Sequence, residues 1–106
     1  MAKKSKPKFY LALQKQHPEV FASLEKLGKA TRDAGPLDAR MAHLICLAAA
    51  AAIRSEGAVH SHTRRAIEAG ATAEEIRHAL LMLLSTIGMP NVVAALSWAD
   101  EVLAKR

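Results

Sequence analysis

This 106-residue chain has one cysteine, four aromatic residues and no apolar run longer than ten residues, and each shortage closes a class of functions. Cys46, being alone, excludes an intrachain disulfide and any CxxC chemistry within one chain. It lies in an alanine-rich apolar segment, where a thiol is expected to be buried and inert. The longest apolar run, Leu44 to Ile53, is too short to span a bilayer, so no membrane association is expected. The opening M-A-K-K-S-K-P-K is basic like the start of a signal peptide, but no apolar core of adequate length follows it. The expectation is a cytoplasmic protein. With so few aromatics, no basic stripe carries the interleaved rings of a nucleic-acid-binding face. Four of the positive charges behind the net +5 are Lys3, Lys4, Lys6 and Lys8, and the rest of the chain is close to neutral. Residues 1–8 therefore read as a basic, disordered tail that can touch phosphates only non-specifically. Residues 9–106 read as one helical domain.

What is present is mostly alanine and leucine in helical spacing, which predicts an all-α fold of about five to six helices. Phe9, Tyr10, Leu11 and Leu13 begin a short helical or irregular segment. His17-Pro18-Glu19 reads as a helix start, with Pro18 at the first position and Glu19 in the turn that favours negative charge. Val20, Phe21, Leu24 and Leu27 mark one face of that helix. Gly35-Pro36-Leu37-Asp38 is a turn that opens the next, on which Leu37, Met41, Leu44, Ile45 and Ala48 form the predicted stripe. The run of small side chains that follows lets neighbouring helices approach closely. Gly57 marks a bend or a new start, with Ser55 a possible N-cap. Gly70 ends the helix that follows. Thr72-Ala73-Glu74-Glu75 has the capping-box pattern and starts a helix with Ile76, Leu80, Leu83, Leu84 and Ile87 on its apolar side. Gly88-Met89-Pro90 breaks it. The last helix runs from Asn91 to Ala104, with Trp98 as its largest core or interface anchor.

The polar residues that stand out are histidines. His43 is the lone polar side chain between Met41 and Ile53. His60 and His62 lie two apart, about 200° around a regular helix of ~3.6 residues per turn, so they face different ways. His62 shares a face with Ser55, Ala58, Val59 and Ala66 and is expected to meet the helix of His43. His60 shares a side with Arg64 and Gly57, toward the pocket or a subunit neighbour. His78 flanks the apolar stripe of its own helix. Imidazoles around an apolar cavity can do acid–base work near neutral pH. His43 and His62 with His60 or His78 could instead bind zinc or copper if their nitrogens converge. The remaining reading is structural: the histidines pack, and Arg54, Glu56, Arg64 and Arg65 form a solvated face.

From Pro36 to Leu103 the order of features resembles the carboxymuconolactone decarboxylase family, which includes the AhpD-type alkylhydroperoxidases. The pieces that carry the resemblance are G-P-L-D-A-R before an alanine-rich helix, H-T-R-R-A-I-E-A-G-A-T-A-E-E-I-R-H-A-L, then I-G-M-P and an alanine-rich last helix. The resemblance implies an AhpD-like helical hairpin bundle that assembles as a homotrimer or homohexamer. The redox members carry E…CxxCxxxH. His62 falls on the motif histidine, Ser55 and Ala58 on the two cysteines, and His43 on the glutamate. A disulfide cycle needs one thiolate to attack and a second thiol to resolve, so thiol peroxidase activity is not expected here. The lactone-decarboxylase branch also lacks the cysteine pair, and His62, Gly88 and Pro90 fit its pattern. The expected function is cofactor-free decarboxylation or isomerisation of a small organic acid or lactone. In it His62 is the general acid/base, His43 its partner, and His60 a pocket or interface residue. Arg54, Arg64 or Arg65 would bind the substrate's anion. The alternatives are a histidine-cluster metal protein using zinc or copper and a non-catalytic oligomeric member of the family.

Overall fold

The computed structural model describes residues 6–105, which are helical with no strand among them. The part of the expected basic tail formed by residues 1–5 lies outside the described residues. Lys6 and Pro7 are non-helical, and Lys8 already belongs to the first helix. The chain divides into two compact units, with the boundary between Leu37 and Asp38. Among the described residues, no helix is long and apolar enough to cross a membrane.

The first unit is a pair of helices, α1 (Lys8–Gln16) and α2 (Pro18–Asp33). Pro18 sits in the first turn of α2, where its missing N–H would have had no helical partner, and Glu19 follows it in the same turn. The Tyr10 and Phe21 rings pack edge to face with centroids 5.2 Å apart. Lys29 hydrogen-bonds Asp33 one turn on, and this cation holds the Asp33 carboxyl below its usual range. No residue of α1 or α2 is buried, and Val20, Leu24 and Leu27 leave the predicted apolar face of α2 exposed.

The second unit holds α3 (Ala39–Ala52), α4 (Glu56–Glu68), α5 (Ala73–Leu81), the single turn α6 (Leu84–Ile87) and α7 (Met89–Leu103). Asp38 caps α3 by accepting the Met41 N–H at 2.9 Å. Its core combines Leu47, Ala50, Ala51, Val59, Ala66, Ile76, Leu80, Ala95, Ala99 and Leu103. Half of these are alanines, so the helix axes come together closely and α3 packs most extensively on α4. The face of α3 turned to this core is His43, Leu47, Ala50 and Ala51, whereas Leu37, Met41 and Ile45 of the predicted stripe are exposed. The helix is apolar on nearly every side, so spacing alone cannot distinguish the buried side from the others. Cys46 is half-buried rather than enclosed.

Both α3 and α4 end in a left-handed residue with paired backbone hydrogen bonds. At the end of α4, Gly70 has φ +104°, and the N–H groups of Gly70 and Ala71 bond to the carbonyls of Ile67 and Ala66. At the end of α3 the equivalent position is Arg54, with φ +56°, and Arg54 and Ser55 bond to Ala51 and Ala50. The break between the helices therefore falls at Arg54-Ser55, and Gly57 lies inside the first turn of α4. The Arg54 side chain reaches α7, donating to Asn91 Oδ1 at 2.6 Å with its guanidinium 6.0 Å from the centre of the Trp98 ring. Asn91 in turn donates to the Ile87 carbonyl.

Thr72 and Glu75 form the predicted capping box in both directions, each bond 3.0 Å. Glu75 also accepts from Arg40, and Arg77 pairs with Asp100, joining α5 to α3 and to α7. The predicted helix through Ile87 is interrupted after Leu81 and resumes as α6. Ile76 and Leu80 are buried, and Leu83, Leu84 and Ile87 only partly so. The last helix begins two residues before Asn91, with Pro90 in its first turn. It buries Val92, Ala95, Ala99, Val102 and Leu103, while Val93 is exposed and Trp98 is half-buried beside the core.

Candidate functional site

Helix α4 positions the two histidines that lie two residues apart. It starts at Ser55, whose Oγ accepts the Ala58 N–H at 3.3 Å. Val59, Thr63 and Ala66 form its buried line, and the adjoining line carries His62 toward α3. There His43 Nδ1 and His62 Nδ1 lie 3.4 Å apart, with ring centroids 5.6 Å apart and planes tilted by 34°. His43 is buried and His62 half-buried. The expected meeting of these two residues is therefore present, nineteen positions apart in sequence.

A hydrogen bond between two Nδ1 atoms requires one imidazole to donate and the other to accept. The pair accommodates one proton on the bridge, whereas two imidazolium rings would set donor against donor. A proton on one ring can be shared with the lone pair of the other.

His60 points a different way. Its Nε2 lies 2.8 Å from Glu101 Oε1 on α7. It is not a third imidazole beside His43 and His62, which follows from the angle between positions 60 and 62 on one helix. His78 is exposed on α5. Among the described residues, the metal-type constellation is Glu56, His60 and Glu101, whose donor atoms all lie within 4.8 Å of one another. It includes neither His43 nor His62. Sequence reading missed Glu56 and Glu101 as companions of His60. The spacing of Glu56 and His60, one helical turn apart, was a local signal for the first of them; Glu101 comes from a distant helix and left none.

Of the three arginines considered as anion ligands, Arg54 is the one anchored by a side-chain bond, to Asn91. Arg64 is half-buried and Arg65 exposed. Ser55 and Ala58, at the positions of the redox cysteines, act as the N-cap and the donor to it, so the start of α4 holds no thiol.

Comparison with known proteins bears on the family and the fold. Over 102 residues the chain is 34% identical to the uncharacterized protein MJ1511 of Methanocaldococcus jannaschii, covering 96% of this chain and 85% of that protein. Its fold matches the apo crystal structure of lpg0406, a carboxymuconolactone decarboxylase family protein from Legionella pneumophila. The TM-score is 0.73 at 27% identity, over 88% of this chain and 86% of that one. The model of the carboxymuconolactone decarboxylase family matches residues 18–101, and the chain belongs to that family.

Proposed function

We propose that this protein carries out cofactor-free acid–base chemistry, a decarboxylation or isomerisation, on a small organic acid or lactone at the His43–His62 pair. The observation that carries the reading is the 3.4 Å approach of the two Nδ1 atoms, with one ring buried. This distance is at the long end for a hydrogen bond, and catalytic hydrogen bonds often shorten only when substrate is bound. His62 is the general acid/base, and His43 sets its tautomer and shares its proton. In decarboxylation the bond from carbon to the carboxylate breaks and its electron pair moves into the conjugated lactone carbonyl. Protonation of the resulting enolate by His62 returns a neutral ring with the double bond shifted. Arg54, already fixed by Asn91, is the arginine best held to bind an anionic group.

The same separation is also what two ligands ~2.0–2.1 Å from a tetrahedral zinc would show, but the metal-type group found among the described residues is a different one, Glu56, His60 and Glu101. The acid–base reading is therefore preferred. It includes a cytoplasmic homotrimer or homohexamer. Support comes from apolar side chains left exposed on the second unit, including Met41, Ile45, Met82, Met89 and Val93, which a subunit contact would cover. Light scattering should return three or six chains per particle; a monomer would remove that part.

The catalytic test is a panel of lactone acids assayed for CO2 release and double-bond shift, with wild type and His62→Ala side by side. Turnover by the wild type and its loss in a folded variant is the expected result. An equally active variant, or a panel with no turnover, would overturn the proposal.

A further inference from the structure

Helix α4 has a second constellation on another side, and the proposed acid–base chemistry does not use it. Glu56 and His60 are one turn apart on α4, so their side chains leave the helix in the same direction. Glu101 faces them from the last turns of α7. His60 Nε2 and Glu101 Oε1 are 2.8 Å apart, and the donor atoms of all three residues lie within 4.8 Å of one another. We propose that Glu56, His60 and Glu101 form a binding site for a divalent first-row transition metal ion such as zinc, which joins α4 to α7.

The distances suit such an ion. Ligands at ~2.0–2.2 Å from a metal are about 2.8–3.6 Å from each other, depending on geometry. The His60–Glu101 separation is already at the short end of that range, and Glu56, which is exposed, has room to close the remainder. The donor set is one imidazole and two carboxylates, which suits zinc, manganese or cobalt better than a thiolate-seeking ion. Two carboxylates beside a neutral imidazole carry the charge that a dication neutralises. The carboxyl end of α7, negative in its helix dipole, adds to the attraction. The His60 side chain is 13% exposed and that of Glu101 49%. One ligand is thereby held in place by its surroundings, while the outer side stays open to entry of the ion and to water as further ligands. An ion here strengthens the link between α4 and α7 that the His60–Glu101 contact already makes.

The test is a calorimetric titration of zinc into untagged, chelator-stripped protein, with His60→Ala, Glu101→Gln, Glu56→Gln and His62→Ala measured in parallel. Circular dichroism confirms that each is folded. Glu101→Gln keeps the size and a hydrogen-bonding oxygen and removes only the charge. The expected result is one zinc per chain in the wild type and in His62→Ala. Saturable binding disappears in His60→Ala, and affinity falls at least about tenfold in each glutamine variant, since even outer ligands to a metal are worth that much. Binding that survives His60→Ala would overturn the proposal, as would loss in His62→Ala with retention in His60→Ala, or no saturable binding in the wild type. None of these outcomes depends on turnover, so the two proposals stand or fall separately.

Discussion

Two sides of the same helix carry histidines in different company. His62 meets another imidazole across the α3–α4 contact, while His60 meets a carboxylate across to α7. A histidine opposite a histidine can pass a proton between two ring nitrogens. A histidine opposite carboxylates belongs to a donor set that suits metal ligation. Residue type is the same at both positions; the difference comes from which helix each faces.

The sharpest way to break this contrast is to exchange the losses. His62→Ala is expected to lower turnover by about 10²–10⁴-fold, the ordinary worth of a positioned general acid or base. His60→Ala should keep most of it. If His60→Ala is as damaging as His62→Ala in a steady-state assay, the two sides are one site and the division fails. A smaller effect concerns stability. Zinc at 100 times its dissociation constant should stabilise the wild type by about 2.7 kcal/mol through mass action. Thermal unfolding should rise accordingly, and Glu101→Gln should lose most of the increase. The smallest expected effect lies between the two histidine faces. The Thr63 hydroxyl is fully buried with no hydrogen-bond partner. Thr63→Val keeps the shape and removes the stranded oxygen, so it should raise stability by about 1 kcal/mol. A lowered melting temperature would mean that the hydroxyl has a partner, such as an enclosed water.

Local signals account for what was legible beforehand. Pro18, the Thr72–Glu75 box, Ser55 and Gly70 are each backbone chemistry written within four residues, and each appears where the sequence places it. The His43–His62 meeting was legible because it follows from two helices packing through small side chains. The inward face of α3 was not, since Met41 and Ile45 are as apolar as Leu47 and only the position of α4 separates them. The partner of His60 was hidden for the same reason: forty-one residues separate it from Glu101. Ser55 and Gly57 marked the new helix start, but nothing marked Arg54 as the left-handed residue, because glycine is the usual signal there.

That arginine makes the bend between α3 and α4 conditional. A non-glycine residue in the left-handed region is strained by about 1–2 kcal/mol, and at this corner the strain is offset by the bond to Asn91 and the contact with Trp98, both on α7. Glycine would make the same turn unaided. With arginine there, the corner joining the two histidine-bearing helices is held by contacts from α7.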